Sequence, residues 1–395
     1  MMKKKILFML INMNIGGTEK SLLNMIAELP EEQFEITFLM LEEYGGFLDQ
    51  IPSRVKVEYL TGYDEIKPSI NNPPRVTSIS LFKKRKFTKA ISFSGYYLMA
   101  KLLNNKDIFF NYLTKKHYFS KDHYDIAIAY AGPMDFISYF VLNKIKANKK
   151  IQWIHFDVTE IGFSKPFAIK NYNKFDKVFI VSEEAKRKLI SLVPSIEEKT
   201  TVLLNVVSPI VINQLCKEGK GFNDDFDGKR ILTVGRLTTE KGLDLAIKAF
   251  KNLIKDGYNV KWYCVGEGNQ RIYLEKLIEE YDLQEKFILL GSETNPYTYM
   301  DQCDIYVQPS RHEGYCITLT EARYLNKPII TTNFTPAKEQ IITGKTGLIV
   351  DIDENEIYKA IKTLFEDQEL ARSFTTNLKK EDNDSKLELK KSFEI

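Results

Sequence analysis

Along this chain, short apolar runs alternate with stretches in which apolar residues recur every three or four positions. The runs predict strands buried on both faces and the stretches predict amphipathic helices. Their alternation points to parallel sheets joined by crossover helices. In the first half the strand-like runs are ILFMLIN, EITFLML, VKVEYL, YDIAIAY, KIQWIHF, KVFIVS and TVLLNVV. Between the first two, Leu22, Leu23, Ile26 and Leu29 supply a helical apolar stripe. From Asn205 the pattern loosens into SPIVINQLCKEGKGFNDDFDGK, which mixes Pro, Gly and charge. A second alternation follows: ILTVG, the helix LDLAIKAFKNLI, KWYCVG, the helix RIYLEKLIEEY, FILLG, IYVQPS, the helix ITLTEARYL, PIITT and GLIV.

This pattern predicts an α/β protein with two Rossmann-like domains, residues 1–207 and 229–378, joined by a linker at 208–228. Residues 379–395 are polar with little of a core face, and read as a tail or as a helix crossing back. The length of 395 residues suits two domains of roughly 150–200 residues. Ligands are expected in a cleft between the domains, at the carboxyl ends of the strands.

Composition changes little. With 44% hydrophobic and 28% charged residues and a net charge of +3, nothing global demands nucleic acid. Cys216, Cys264, Cys303 and Cys316 lack CxxC or zinc-like spacing and read as reduced thiols of a cytoplasmic protein. The start, MMKKKILFMLINMNIGG, has the outline of a signal peptide, but Asn12 and Asn14 interrupt it, so it reads as a buried strand ending in a glycine loop.

Several strand-to-helix loops carry candidate chemistry. In VGRLTTEKG, Arg236 can fork onto phosphate oxygens and Lys241 adds a compact charge near a helix N-terminus that favours anions. The plain alternative is two solvated basic residues. Gly16 and Gly17 allow a ligand close to the backbone, or form an ordinary turn. Gly266 and Gly268, in VGEGNQR, suit the wall of a nucleotide pocket or simply a connection. In SRHEGYCITLTEA, Glu313 falls on a loop after a strand, and Glu321 falls inside the next helix. Amides near Tyr315 to Thr318 are then open to a phosphate, and Glu321 can reach sugar hydroxyls. His155 ends a strand and is either a site residue or a satisfied core histidine. The DxD of Asp351 and Asp353 is explained by Asp353 capping the helix NEIYKAIKTLF, without a metal.

Taken together, GRLTTEKG, VGEG and QPSRHEGYCITLTEA resemble the retaining GT-B glycosyltransferases of the E-x7-E family (group 1, family 4-like). That family includes sucrose-phosphate synthases and bacterial polysaccharide and lipid mannosyltransferases. The likeness is dense from Val234 to Val350 and thin before it, where IGGTEKS, WIHFD and VSEEAKRKL carry it. It implies a GT-B fold, two Rossmann-like domains facing each other across a cleft. It further implies that Arg236, Lys241, Gly16 and Gly17 approach a nucleotide-sugar diphosphate and that Glu321 binds the ribose. By the same likeness, Glu313 and His155 contact the donor sugar, and the backbone of Gly314, Tyr315, Cys316 and Ile317 binds sugar or phosphate. Tyr315-Cys316 departs from the family's commoner Phe-Gly.

The expected reaction is retaining transfer from a UDP-sugar to a lipid-linked or polymeric cell-surface glycan, with no cofactor and no metal. Residues 81–121 hold ten Lys or Arg against the single acid Asp107, interleaved with aromatics. They suit an anionic membrane on the inner face of the cell, or else a solvated basic face over an aromatic core. Nucleic acid is not expected, since no nucleic-acid module is present. A same-fold sugar-nucleotide epimerase and a non-catalytic GT-B partner subunit remain as alternatives. A dinucleotide dehydrogenase is disfavoured by the missing GxGxxG.

Overall fold

The computed structural model describes residues 3–115, 122–159 and 162–381. The chain divides into two compact units. The first takes in the chain up to Asn14 and from Leu29 to Leu203; the second takes in Ile15–Glu28 and the chain from Leu204 onward. Residues 15–28 were expected in the first domain. Helix α1 (Gly17–Glu28) instead groups with the second unit, because its side chains bond there: Ser208 N donates to Asn24 Oδ1 at 2.8 Å, and Lys20 pairs with Glu321.

The first unit is a seven-stranded parallel sheet in the order β3-β2-β1-β4-β5-β6-β7. The strands are β1 (Lys4–Leu10), β2 (Phe34–Met40), β3 (Val55–Tyr59), β4 (His123–Gly132), β5 (Lys146–Ile154), β6 (Lys177–Ile180) and β7 (Thr200–Val202). Ile6 to Leu10 are buried on both faces, as an unbroken apolar run requires in a central parallel strand. Between β3 and β4 come α2 (Tyr63–Asn71), α3 (Pro74–Lys83), α4 (Phe87–Leu102) and α5 (Lys106–Thr114). The later crossovers use α6 (Asp135–Lys144), α7 (Lys165–Asn171) and α8 (Glu183–Leu192). Phe93, Phe109 and Phe110, part of the aromatic series noted above, belong to this unit's core.

In the second unit the first helix after α1 is α9 (Pro209–Glu218), which lies inside the expected linker. Ser208 Oγ accepts from Val211 N and Pro209 opens the helix, a start signal visible in the sequence. Its sheet is parallel with order β10-β9-β8-β11-β12-β13. The strands are β8 (Lys229–Val234), β9 (Val260–Val265), β10 (Phe287–Gly291), β11 (Ile305–Gln308), β12 (Ile329–Thr332) and β13 (Leu348–Val350). The helices are α10 (Leu243–Lys255), α11 (Arg271–Glu280), α12 (Tyr297–Gln302), α13 (Ile317–Tyr324), α14 (Ala337–Gln340), α15 (Glu354–Glu366) and α16 (Gln368–Leu378). Asp353 caps α15 as expected, accepting from Asn355 N at 2.8 Å and Glu356 N at 3.2 Å. Beyond α16, Glu381 pairs with Arg323 at 2.7 Å; residues 382–395 of the expected tail lie outside the described residues.

Strand order reverses between β8 and β11, so the loops leaving those two strands flank the switch point of this sheet. In open α/β sheets that is where ligands bind.

Candidate active site

The two loops at the switch point are clamped together. Arg311 forks onto Asp244 with two bonds of 2.7 Å, donates to Thr239 O at 3.0 Å, and its amide donates to Glu240 O at 2.7 Å. Asp244 is partly buried, which would raise its pKa, but Arg311 more than offsets this and holds it below the usual carboxylate range. Gly242 sits at φ 67°, and a Cβ there would meet Pro309 O at 2.0 Å, so only glycine permits this approach.

Within the clamp, Lys241 Nζ lies 2.6 Å from Glu313 Oε1. The same oxygen accepts from Ser310 Oγ at 2.7 Å and Gln308 Nε2 at 3.3 Å. Gln308 is itself fixed, donating to Ser310 Oγ at 2.8 Å and accepting from Tyr306 OH at 2.7 Å and Thr318 Oγ1 at 3.3 Å. Burial disfavours the charge on Lys241, yet Glu313 beside it raises its pKa overall, so the ammonium persists.

Helix α13 follows directly. Its N-cap, Cys316, is buried and left-handed at φ 68°, a conformation costing about 1 kcal/mol or more for a residue with a side chain. Burial, then the Glu313 charge, push the Cys316 thiol up, so it is a neutral packing group. Gln340 Nε2 donates to Tyr315 O and Cys316 O, holding the Gly314–Ile317 turn from α14. Gly17 lies against this helix start, where a Cβ would stand 3.4 Å from Ile317 Cγ2.

Inside α13, Glu321 is 0% exposed. Lys20 Nζ from α1 reaches both its oxygens, at 2.8 and 3.0 Å, and Tyr297 OH donates to Oε1 at 2.9 Å. The Lys20 ammonium also stands 4.2 Å from the centre of the Tyr297 ring. Each glutamate of the E-x7-E pattern thus has its own lysine partner.

The other expected residues lie as follows. Arg236 is exposed and makes no ion pair within 4.0 Å among the described residues. Glu19 stands against Gly16 and in the field of Arg236; burial lifts its carboxyl to about 7, against its own backbone N–H and Arg236. Gly266 and Gly268 are explained by packing: a Cβ would meet Gly235 O at 1.9 Å and Leu237 O at 2.2 Å. His155 belongs to the first unit, just past β5. It is 6% exposed, stacked on Trp153 and edge-on to Tyr130. Sequence reading did not single out Lys20, Glu19, Gln308, Ser310 or the Arg311–Asp244 clamp. Among the described residues no group of three or more His, Cys, Asp or Glu is placed to hold a metal.

These loops belong to one of two Rossmann-like units, an architecture shared with structures of the GT-B fold. Residues 220–381, within the second unit, match the family described as glycosyl transferases group 1. A Campylobacter jejuni relative is named N-acetylgalactosamine-N,N'-diacetylbacillosaminyl-diphospho-undecaprenol 4-alpha-N-acetylgalactosaminyltransferase. It is 31% identical over 210 residues, covering 52% of this chain and 56% of that protein. The Staphylococcus aureus capsular polysaccharide biosynthesis glycosyltransferase CapM is 29% identical over 218 residues, covering 51% and 56%. The chain thus spans about half the length of these relatives. Among solved structures, Anabaena Alr3699/HepE in complex with UDP and glucose shares the fold at a TM-score of 0.69 and 19% identity, over 99% of both chains. A variant of S. aureus TarM bound to UDP shares it at 0.70 and 18%, over 98% of this chain and 99% of that one.

Proposed function

We propose that this protein is a retaining glycosyltransferase that moves a sugar from a UDP-sugar to a lipid-linked or polymeric cell-surface glycan, without a metal. The observation that carries the reading is the Lys241–Glu313 pair, clamped at the switch point before α13, inside the segment that matches group 1. The C. jejuni relative's diphospho-undecaprenol name, the capsule relative and the UDP complexes of the structural neighbours support acceptor and donor classes.

In this reading Arg236 and Lys241 bind the diphosphate, with Gly16, Gly17 and the amides of Gly314 to Ile317 close to it. Charge building on the departing phosphate meets cations and a helix N-terminus already in place, which lowers the barrier without reorganisation. Glu313 keeps Lys241 charged and aimed, and borders the donor sugar. Glu321 takes the ribose hydroxyls; since Lys20 covers it, Lys20 swings aside as the ribose enters. His155 is assigned to the sugar. Retention follows a front-face route in which the leaving phosphate helps accept the acceptor proton. The acceptor waits at a membrane, for which the basic segment within residues 81–121 is suited.

Transfer from a panel of UDP-sugars to lipid-linked acceptors tests this. Lys241→Ala and Glu313→Ala should each lower turnover by roughly 10²–10³-fold, the usual cost of losing a pre-placed electrostatic group. Near-wild-type transfer by both variants would sink the assignment.

A further inference from the structure

Ten of the nineteen large apolar side chains exposed among the described residues fall between Val76 and Leu103, on α3, α4 and the turn after α4. On α4 they are ordered. Ala90, Phe93 and Ala100 are buried and Tyr97 packs on the core, while Phe87, Ile91, Leu98 and Leu102 are exposed. The spacings of four, seven and four residues keep the second set on one outward stripe, away from the core set. On α3, Val76, Ile79 and Phe82 are likewise exposed at three-residue spacing. The two helices are tied by Ser78 Oγ and Ser94 Oγ at 2.9 Å, and Phe82 meets Phe87 across their turn with ring centres 6.0 Å apart.

The charges around this stripe have one sign. Residues 66–106 contain nine Lys or Arg and no Asp or Glu. Four of the cations, residues 83–86, end α3 and form the turn before Phe87, and all four are exposed. Arg75, Lys83, Lys84, Arg85, Lys86 and Lys101 make no ion pair within 4.0 Å among the described residues. Lys89 stands 3.9 Å from Glu65, Lys67 pairs with Glu42, and Lys106 pairs with Asp135. None of the described helices is long and apolar enough to cross a membrane.

We infer that the α3–α4 hairpin is a membrane-docking element that lies flat on an anionic phospholipid bilayer. Phe82, Phe87, Ile91, Leu98 and Leu102 enter the boundary between headgroups and acyl chains, and residues 83–86 with Lys101 engage lipid phosphates. Aliphatic side chains at the centre with cations at the rim fit that boundary. Ile91, Leu98 and Leu102, the aliphatic part of this stripe, have no use on a nucleic acid, where bases stack on aromatic rings. A second copy docked through the same face would bring one cationic surface against another, so charge also opposes self-association. The inference deepens the membrane-bound acceptor of the proposed function but does not depend on the donor site.

Flotation of the full chain with vesicles, in the absence of any sugar donor, tests it separately from transfer. Vesicles of phosphatidylcholine with about a third phosphatidylglycerol should carry the protein up, and pure phosphatidylcholine vesicles should not. Replacing residues 83–86 by glutamine should weaken vesicle binding by roughly a hundredfold, since each basic residue adds to the attraction. Ile91→Ser/Leu98→Ser/Leu102→Ser should weaken it by roughly tenfold or more through lost apolar insertion. All these positions are exposed, so unchanged melting temperatures certify both folds. The inference is overturned by wild-type protein that ignores anionic vesicles, or by a charge variant that floats as wild type does. An apolar variant with undiminished binding overturns it too. So does wild type retained on RNA or as a dimer while vesicles leave it in solution.

Discussion

At the scale of single residues, the E-x7-E glutamates are not two free acids: each is paired with a lysine, Glu321 in a buried pair and Glu313 in a partly buried one. Glu313 and Glu321 could be found by spacing, and so could Lys241, which sits in a recognisable loop. Lys20 could not: it is 301 positions from Glu321, and only folding of α1 onto α13 brings them together. Breaking a buried pair on one side strands a charge, which costs about 3–5 kcal/mol, whereas replacing both partners by apolar groups is often neutral. Lys20→Met should therefore lower unfolding stability by that amount in denaturant titration, and Lys20→Met/Glu321→Leu should regain most of it. Glu19 makes a pH prediction. Its carboxyl has an ordinary value of 4.5 and is lifted to about 7, chiefly by burial. Between those values the folded protein holds a proton that the unfolded chain has lost, so this group lowers stability as pH rises through the window. The melting-temperature advantage of Glu19→Gln over wild type should grow from pH 5 to about 7 and then level off. Parallel curves would remove Glu19 from this account.

At the scale of elements, the central strands coincide with apolar runs, because a strand covered on both faces must be continuously apolar, whereas the edge strands β3 and β7 are short and mixed, with Lys56 and Thr201 exposed. What escaped was local. Helix α9 was absorbed into a linker although Ser208 and Pro209 announce it. The α3–α4 hairpin was read as a basic-aromatic mixture, since exposed and core aromatics alternate there at helical spacing: Phe87 is exposed and Phe93 is buried. The turn before α13 depends on a clamp whose partners, Arg311 and Asp244, lie 67 positions apart. Arg311→Ala leaves Asp244 without its fork and should cost about 1.5–3 kcal/mol. Arg311→Lys should recover little, because one ammonium cannot make both bonds. Denaturant unfolding of the two variants checks this, with weaker UDP binding expected alongside.

At the scale of the molecule, the chain is two Rossmann-like units, and the diphosphate binding proposed for it resides in the second. In the proposed mechanism Arg236, Lys241 and the start of α13 stabilise the leaving diphosphate, so sugar transfer should proceed at an unchanged rate in excess EDTA; collapse of the rate on chelation, restored by a divalent ion, would reject a metal-free mechanism. The family signature was readable in residues 234–350 because close backbone approaches force glycines, as at Gly242, Gly266 and Gly268. The first unit has such approaches too, at Gly45 and Gly132, where a Cβ would meet Met13 O at 2.0 Å and Trp153 O at 1.9 Å, but they lie outside the stretches that carry the resemblance. The central claim is that these loops bind a nucleotide diphosphate, and titration calorimetry with UDP tests it most directly. Wild-type protein should bind UDP, and Arg236→Ala/Lys241→Ala, still folded by its melting curve, should bind at least about a hundredfold more weakly, as loss of two charge-assisted contacts implies. Binding of UDP by the double variant at wild-type affinity, or no binding by the wild type, would contradict it.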